Sequence, residues 1–581
     1  MLPEMFARMI LVFGGTTEGR RAVEVLEEAG SLYYYSTKTD EQEIHMHHGI
    51  HLVGVLVREA MLDICEKQSI RLIIDAAHPF AQHLHQTIAD VAESLAIPVI
   101  RYERIYPPRD TDVEWIDDYS QIPQDIHSLL ATTGVQSIQK LKPLEQQGMK
   151  IYYRILPRES SIDMALQQGA TEEQLIYYED SSTIEIDADA ILLKESGISG
   201  GFIEKVKTAK EKGMRIIVLK RPQLIIPSPL YSMVNGPHGL RRAVERLLPE
   251  FYPLKSGLTT GTCATAAAVA ATLRMLHHET PSEVPVRLPD GETIHVSVGY
   301  ADGYAYCTKE AGDDPDVTDG IEVRAMVEPA ESFEIKGGEG VGRFTLPGFD
   351  YPPGEPAINK GPRQMIRDNI KEHVRVTISV PHGAEIAHRT FNPRLGIEGG
   401  ISIIGVSGIV KPFSEDAFIE SIRKCMEVAQ ASGTERVVIN SGAKSERFIK
   451  VKYPDLPAQA FVQYGNYIGE TLKIANELNI PKVTLGVMMG KAVKLAAGQL
   501  DTHSKKTTMD LSFIQQMLQE SGIQIDINDM TLARELWERV PAHQLNGFAS
   551  TVIMHCMEHC QPLLPQGELT ILLIDENGKI Y

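Results

Sequence analysis

The stretch "ILVFGGTTEGR", Ile10–Arg20, decides how the first half of this chain folds. Four apolar residues suited to a buried strand run into two glycines, two threonines and the start of a polar-faced helix. A strand that turns so abruptly into a helix opens a β-α-β unit. The rhythm continues outward. A second strand is expected near Leu32–Ser36, a third within "RLIIDAAHPFA", a helix over "HLHQTIADVAESLA" and a further strand in "IPVIRYERI". Alternation of this kind predicts a doubly wound parallel sheet, whose ligands lie beyond the carboxyl ends of the strands.

Three turns stand at those ends. At the first, Gly14, Gly15 and Gly19 let backbone N–H groups approach a phosphate at a helix N-terminus, and Thr16 and Thr17 can cap the helix or donate hydroxyls. The spacing is G-G-x-x-x-G, so a tight strand-to-helix turn reads equally well. At the second, Ser36, Thr37 and Lys38 offer hydroxyls and a cation where an acid would select a ribose 2′-hydroxyl, which favours NADPH over NADH. At the third, Asp75–Ala81, an aspartate and His78 flank a proline-fixed corner. Such a histidine is placed either as an active-site group or as a plain turn residue.

Composition bounds the rest. The chain has 581 residues, 43% apolar and 23% charged, which suits several soluble folding units. No run approaches the roughly 18 apolar residues of a membrane span. "MLPEMFAR" does not read as a signal peptide, and Met9 offers an alternative start. Six scattered cysteines form no disulfide framework, so a reducing cytoplasm is expected. With 57 basic against 77 acidic side chains the net charge is −20. That balance excludes a general nucleic-acid binder and leaves any anionic ligand to a local basic pocket.

"ILVFGGTTEGR", "IIDAAHPFA", "TTG" at Thr132–Gly134, "LLKESGISGGFIEKVKTA" at Leu192–Ala209 and "IIVLKRP" at Ile216–Pro222 occur in this order. Together they resemble the precorrin-6A reductases, including their cobalt-precorrin-6A counterparts. The resemblance implies two Rossmann-like α/β subdomains with a cleft between them, and reduction of a corrin precursor by NADPH or NADH. It places Gly14, Gly15, Thr16, Thr17, Gly19, Ser36 and Thr37 at the cofactor, with Thr133 and Gly134 lining the cleft. His78 and Lys194 become candidate catalytic groups, and Ser196 and Lys205 candidate substrate contacts. Ala77 stands where a hydroxyl residue is expected before the histidine.

"RLLPEFYPLKSGL" follows, with Pro249 and Pro253 breaking helix; 9–249 is read as one domain, 250–256 as a linker and 257–581 as another. "SGLTTGTCATAAAVAA", Ser256–Ala271, is a hydroxyl-rich turn before a helix with no bulk, able to pack closely and to face an anion at its N-terminus. Cys263 reads better as a small buried residue than as a nucleophile.

With "GDDPDVTDG", "GGEGVG", "GEPAIN", Pro362–Arg363, "LGIEGGISIIGVSGIV", "GNYIGE" and "GKAVKLAAG…THS", this half resembles the cobalt-precorrin-5B C1-methyltransferases. An α+β and α/β architecture is expected here. The resemblance implies S-adenosyl-L-methionine as methyl donor, with Gly399, Gly400, Gly405 and Gly408 near it. Lys255, Thr259, Thr260, Thr262, Arg363, Arg394, Lys491, Lys494 and His503 would clamp a polycarboxylate substrate, arginine most firmly. Asp313 and Asp314 are the candidate acid or base. No metal site is expected. "GDDPD" reads as a shaped turn, and neither "HMHHGIH" (His45–His51) nor "HCMEHC" (His555–Cys560) has a convincing ligand set.

The expected protein is a bifunctional cytoplasmic enzyme of corrin synthesis, methylating and then reducing cobalt-corrinoid substrates. No nucleic-acid or membrane partner is expected, and self-association into a homo-oligomer stays open. The alternatives are one active half beside a scaffold, or a tetrapyrrole carrier without chemistry.

Overall fold

The computed structural model describes residues 10–40, 43–178, 186–223, 230–504 and 506–581. Met9 and the segment before it lie outside the described residues. The chain divides into two compact units. The first is Met1–Ser256 with Arg287–His295, and the second is Gly257–Val286 with Val296–Tyr581.

The first unit holds two parallel six-stranded sheets. One is built from β1 (Ile10–Phe13), β2 (Tyr33–Thr37), β3 (Gly49–Val53), β4 (Leu72–Asp75) and β5 (Val99–Tyr102). The other uses β6 (Glu114–Ile116), β7 (Ser128–Ala131), β8 (Lys150–Ile155), β9 (Leu175–Tyr177), β10 (Ala190–Lys194) and β11 (Arg215–Leu219). Finally β12 (Tyr231–Val234) returns to the first sheet. The orders are β12-β5-β4-β1-β2-β3 and β6-β11-β10-β7-β8-β9. The first is the Rossmann order, reversing between β1 and β4; the second reverses between β7 and β10 and carries its first strand, β6, at the outer edge, and each reversal leaves a crevice. Strands β1 and β4 are buried along their whole length because helices cover both faces.

Helix α1 (Thr17–Glu27) opens at its Thr16 cap, whose side chain accepts the Gly19 N–H at 3.0 Å. Two further helices matter below: α2 (Gln82–Leu95), after β4, and α3 (Pro237–Leu247), after β12. The segment read as a linker is not loose chain. Phe251 and Tyr252 are buried in the core of the first sheet, and the Tyr252 hydroxyl donates to the Val25 carbonyl at 2.8 Å.

The second unit has two layers of different kind. A mostly antiparallel sheet joins, in order, Gly299–Ala301, Tyr304–Thr308, Glu322–Pro329, Val374–Ser379 and Glu334–Gly337. Its strands alternate buried and partly exposed residues, as a sheet covered on one face should. The cover is α4 (Thr260–His277), which packs on the strands Tyr304–Thr308 and Glu322–Pro329 and on the helix Lys360–Asn369. Its six alanines, all buried, add little bulk to that packing. The chain then forms a parallel sheet ordered Phe461–Gln463, Arg436–Asn440, Lys482–Met488, Glu568–Ile574, with helices around it. The α+β and α/β layers therefore follow one another along this half. No helix among the described residues is long and apolar enough to cross a membrane.

Candidate functional sites

In the first unit the crevice lies between the ends of β1 and β4. A Cβ at Gly14 would overlap the Tyr35 ring, and one at Gly19 would come within 2.8 Å of the Gly14 Cα. Gly15 has φ +84° and open space where a side chain would stand. Its N–H donates to the Tyr35 hydroxyl at 3.0 Å, and the Thr16 hydroxyl donates to the Ala76 carbonyl at 2.7 Å. The turn is locked to its neighbours and leaves room above a helix N-terminus, which suits a pyrophosphate. Thr17 begins α1.

Ser36 and Thr37 are buried. Thr37 bonds His51 Nε2 at 2.7 Å and donates to the Thr39 carbonyl at 2.8 Å. The Thr37 hydroxyl is spent inside the protein and Ser36 is buried, so of the three residues expected at a 2′-phosphate only Lys38 is exposed.

The third turn carries a network that sequence spacing did not reveal. Asp75 accepts from His85 Nδ1 at 2.7 Å and from Arg101 at 3.0 Å, all three being buried. His85 Nε2 lies 3.0 Å from the His78 carbonyl. Both ring nitrogens of His85 thus face oxygen atoms. Asp75 is burial-destabilised, yet His85 and Arg101 hold its carboxyl below the usual range. The network fixes the backbone of the turn.

Its tip faces the second sheet. The Phe80 N–H donates to His78 Nδ1 at 3.2 Å, and Phe80 packs against the core of the second sheet. Lys194, closing β10, lies over the Phe80 ring at 5.1 Å. Burial, then the cations Arg104, Lys194 and Arg101, push the His78 imidazole down to about 3. Burial, then Lys140, lowers Lys194 to about 8.

Around them, Arg104 donates to Glu18 at 2.9 Å and to the Ser196 carbonyl at 2.7 Å, and Ser199 donates to Glu18. These bonds bind the two sheets of this unit. Ser196 donates weakly to the Gly200 carbonyl at 3.3 Å, and Lys205 donates to the same carbonyl at 3.0 Å. Thr133 bonds Ser137 at 2.6 Å beside Gly134, whose φ is +84°. Gly14, Thr16, His78, Thr133, Lys194 and Ser196 all sit at the carboxyl ends of strands in this unit.

The hydroxyl-rich start of α4 is used differently from the expectation. The Thr260 hydroxyl lies 3.3 Å from the Ser402 and Ile404 carbonyls and accepts the Ile404 N–H at 2.9 Å. Thr262 donates to the Gly408 carbonyl at 2.6 Å, while Thr259 caps the helix by accepting the Thr262 N–H at 3.2 Å. Thr260 and Thr262 are buried. They hold the 402–408 loop instead of facing an anion. Gly405, φ +143°, leaves no room for a Cβ beside Thr259. Gly400 packs its backbone on Gly340, whereas Gly399 and Gly408 have positive φ in the same loop system. Thus pinned, the loop still exposes Ile404 and Val406. Cys263 is fully buried.

The expected clamps are also mostly committed within the protein. Arg363 donates to the Ile358 and Pro356 carbonyls and to Glu355, at 2.8, 3.1 and 3.1 Å, and stacks over Tyr351. Arg394 pairs with buried Glu446 at 2.6 Å. Lys494 donates to the Thr507 carbonyl at 2.9 Å. The His503 N–H donates to Asp501 at 3.0 Å, and Lys255 falls in the first unit. In the "GDDPD" turn, Asp314 accepts the Phe413 N–H at 3.0 Å and Asp313 is exposed. Asp316 pairs with buried Lys309 at 2.7 Å and also accepts from Thr318. The turn is therefore built from inside.

Sequence reasoning passed over one crevice. In the parallel sheet of the second unit, strand order reverses between Arg436–Asn440 and Lys482–Met488. There Asn440, Ser441 and Gly442 (φ +149°) turn into the helix Ala443–Lys452, with open space at Gly442 and at Gly490. Lys491 donates to the Gly465 carbonyl and to Asn466, the latter at 2.9 Å, and burial lowers it to about 8. The run "VVINSGAKSE" carried the signal: a strand, a small-residue turn and a helix.

Elsewhere, His48 pairs with Glu27 at 3.0 Å, and His555 with Glu520 at 2.6 Å. Among the described residues His238, Asp290 and Glu292 bring ligand atoms within 4.8 Å of one another. Glu292, however, already accepts the N–H groups of His238 and Gly239 at the start of α3.

A family model described as precorrin-6x reductase CbiJ/CobK matches residues 9–240, and a CbiD model matches residues 249–412. The chain is 40% identical over 345 residues to a cobalt-precorrin-5B C(1)-methyltransferase of Prosthecochloris aestuarii, covering 55% of this chain and 94% of that protein. Identity to the protein of the same name from Geobacillus kaustophilus is 42% over 285 residues, covering 46% and 77%. Among solved structures, the cobalamin biosynthesis protein CbiD of Archaeoglobus fulgidus aligns at 30% identity over 47% of this chain and 86% of its own, with a TM-score of 0.26. A CobK precorrin-6A reductase aligns at 17% identity over 41% and 97%, with a TM-score of 0.34. This chain therefore belongs to the cobalt-precorrin-5B C(1)-methyltransferase family through its second half, and with a first half that matches the precorrin-6x reductase CbiJ/CobK model it joins a methyltransferase and an oxidoreductase of cobalamin biosynthesis.

Proposed function

We propose that the second half transfers a methyl group from S-adenosyl-L-methionine to ring carbon 1 of cobalt-precorrin-5B, and that the first half reduces the resulting cobalt-precorrin-6A to cobalt-precorrin-6B with NADPH or NADH. The carrying observation is the match along 94% of a protein named for that methylation, in one chain with a reductase region. The Gly14–Thr16 crevice supports a nicotinamide dinucleotide in the first unit, because only glycine fits its turn and a helix starts directly beyond it.

For the methyl donor, the crevice at Asn440–Gly442 and Met489–Lys491 is better suited than Gly400 or Gly405, whose Cβ positions are filled by backbone or by Thr259. The pinned 402–408 loop suits the substrate. It presents apolar side chains to a flat macrocycle in a fixed position, and positioning is most of what an already electron-rich ring carbon requires. The polycarboxylate rim is then met by cations bordering these sites, Lys491 among them.

Incubating the intact chain with cobalt-precorrin-5B, methyl-labelled S-adenosyl-L-methionine and NADPH tests the reading. A product bearing one labelled methyl and two added hydrogens is expected. An unlabelled product would refute the methylation, and a labelled but unreduced one would refute the reduction.

A further inference from the structure

We propose that the Lys194 ammonium, and not the His78 imidazole, delivers the proton that completes the reduction. This rests on reading the first unit as a nicotinamide-dependent reductase. Reduction of a ring double bond needs a hydride at one atom and a proton at its neighbour. The two candidate donors both border the Phe80 ring, Lys194 at 5.1 Å and His78 at 5.8 Å from its centre.

Their hydrogen bonding separates them. His78 Nδ1 accepts the Phe80 N–H, so its ring is neutral with its one proton on Nε2. A second proton would have to displace that bond, beside the cations Arg104, Lys194 and Arg101. His78 is thereby a fixed hydrogen-bond donor and a poor acid.

Lys194 has the opposite character. It stands at the carboxyl end of β10, where strand order reverses against β7, and the Thr132 hydroxyl ties the two strand ends by donating to the Leu192 carbonyl at 3.0 Å. Its Nζ has no hydrogen-bond or ion-pair partner among the described residues; only the Phe80 ring faces it closely. A half-buried ammonium without an acceptor is held for something that arrives. Lys140 from the helix Ile138–Gln146 and His78 are the titratable groups that face it. Burial beside Lys140 brings it to about 8, so it is protonated at neutral pH yet gives up its proton readily.

The step balances. Hydride bonds to one atom of the double bond while the π pair moves to the neighbouring atom. That atom takes a proton from Nζ, whose N–H pair stays on nitrogen. The two electrons come from the reduced nicotinamide, and the neutral amine regains a proton from water.

Two readouts test this on the intact chain. First, trace acetylation across neutral to alkaline pH, read by peptide mass spectrometry without ligands, should show Lys194 half-reactive near pH 8. Reactivity rising with the bulk lysines, near an ordinary lysine value of about 10.4, would overturn the proposal. Second, single-turnover oxidation of NADPH with cobalt-precorrin-6A should decline above about pH 8 in the natural chain. Lys194→Met and Lys194→Arg should each be slower by about a hundredfold or more and lack that decline, with nicotinamide binding retained by fluorescence. Arginine keeps the charge but cannot release a proton. His78→Gln should cost less and keep the alkaline decline. Either Lys194 variant turning over at the natural rate, or His78→Gln abolishing the decline, would overturn the proposal. A natural chain that binds NADPH but never oxidises it would refute the reductase reading instead, and the acetylation profile would still decide the state of Lys194.

Discussion

The chain uses one composition twice, with opposite results. Gly14–Gly15–Thr16–Thr17 and Thr259–Thr260–Gly261–Thr262 are both glycine–threonine turns that open a helix. In the first, the glycines leave a clearing: Gly15 has open space where a side chain would stand, and a single threonine cap anchors the turn to Ala76. In the second, everything is filled. A Cβ at Gly261 would come within 2.8 Å of Pro362, and three threonines spend their hydroxyls on the cap and on the 402–408 loop. One turn makes room for a ligand. The other makes a scaffold for a loop that can meet one. Residue types alone do not decide between these outcomes; what lies opposite does.

Disabling the clearing should have the largest effect. Gly14→Val drives a branched side chain into the Tyr35 ring and displaces the turn. Misplacing a bound reactant by about 1 Å costs on the order of a hundredfold. We expect at least that loss in NADPH oxidation, with transfer of labelled methyl at the natural rate. A parallel fall in methylation would mean that the two activities are not separate.

Gly405→Ala should be next. Its φ of +143° and the overlap with Thr259 strain the loop by about 1–3 kcal/mol. Methylation should fall roughly tenfold to a hundredfold at that strain, with NADPH oxidation intact. A variant with normal methylation would detach the 402–408 loop from the reaction.

Thr260→Val should be milder and should appear first in stability. It leaves the part-buried Ile404 N–H without its acceptor, at about 0.5–1.5 kcal/mol. A lower melting temperature, with methylation reduced in proportion and both largely restored by Thr260→Ser, would fit a scaffold. Loss of methylation at unchanged stability would instead return Thr260 to the role of direct ligand.

The pattern of legibility follows from distance along the chain. Residues 10–20 were readable because strand, turn and cap adjoin one another. The first parallel sheet followed from the apolar runs at Ile10, Leu72 and Val99, while the second was implied only by the family resemblance. By contrast, β3 went unread: its residues are only partly buried at a sheet edge, and the "HMHHGIH" histidines masked the strand pattern. The partners of Thr260 and Thr262 lie some 140 residues downstream, and nothing in their own neighbourhood announces them. His85 was equally hidden, since a link to Asp75 ten residues back follows no helical or strand period. The second crevice, at Asn440–Gly442, was legible in principle. It lacked the glycine and threonine density that drew the eye elsewhere.

Two sites that work separately in one chain should complement each other between chains. The most direct measurement mixes equal amounts of the Gly14→Val and Gly405→Ala chains with cobalt-precorrin-5B, S-adenosyl-L-methionine and NADPH. The first chain should methylate and release its product, and the second should reduce it, so the mixture should yield the methylated, reduced corrinoid that neither variant makes efficiently alone. A mixture no better than its components, with each variant still active in its own half-reaction, would contradict two independent sites and require that both steps occur within the same molecule.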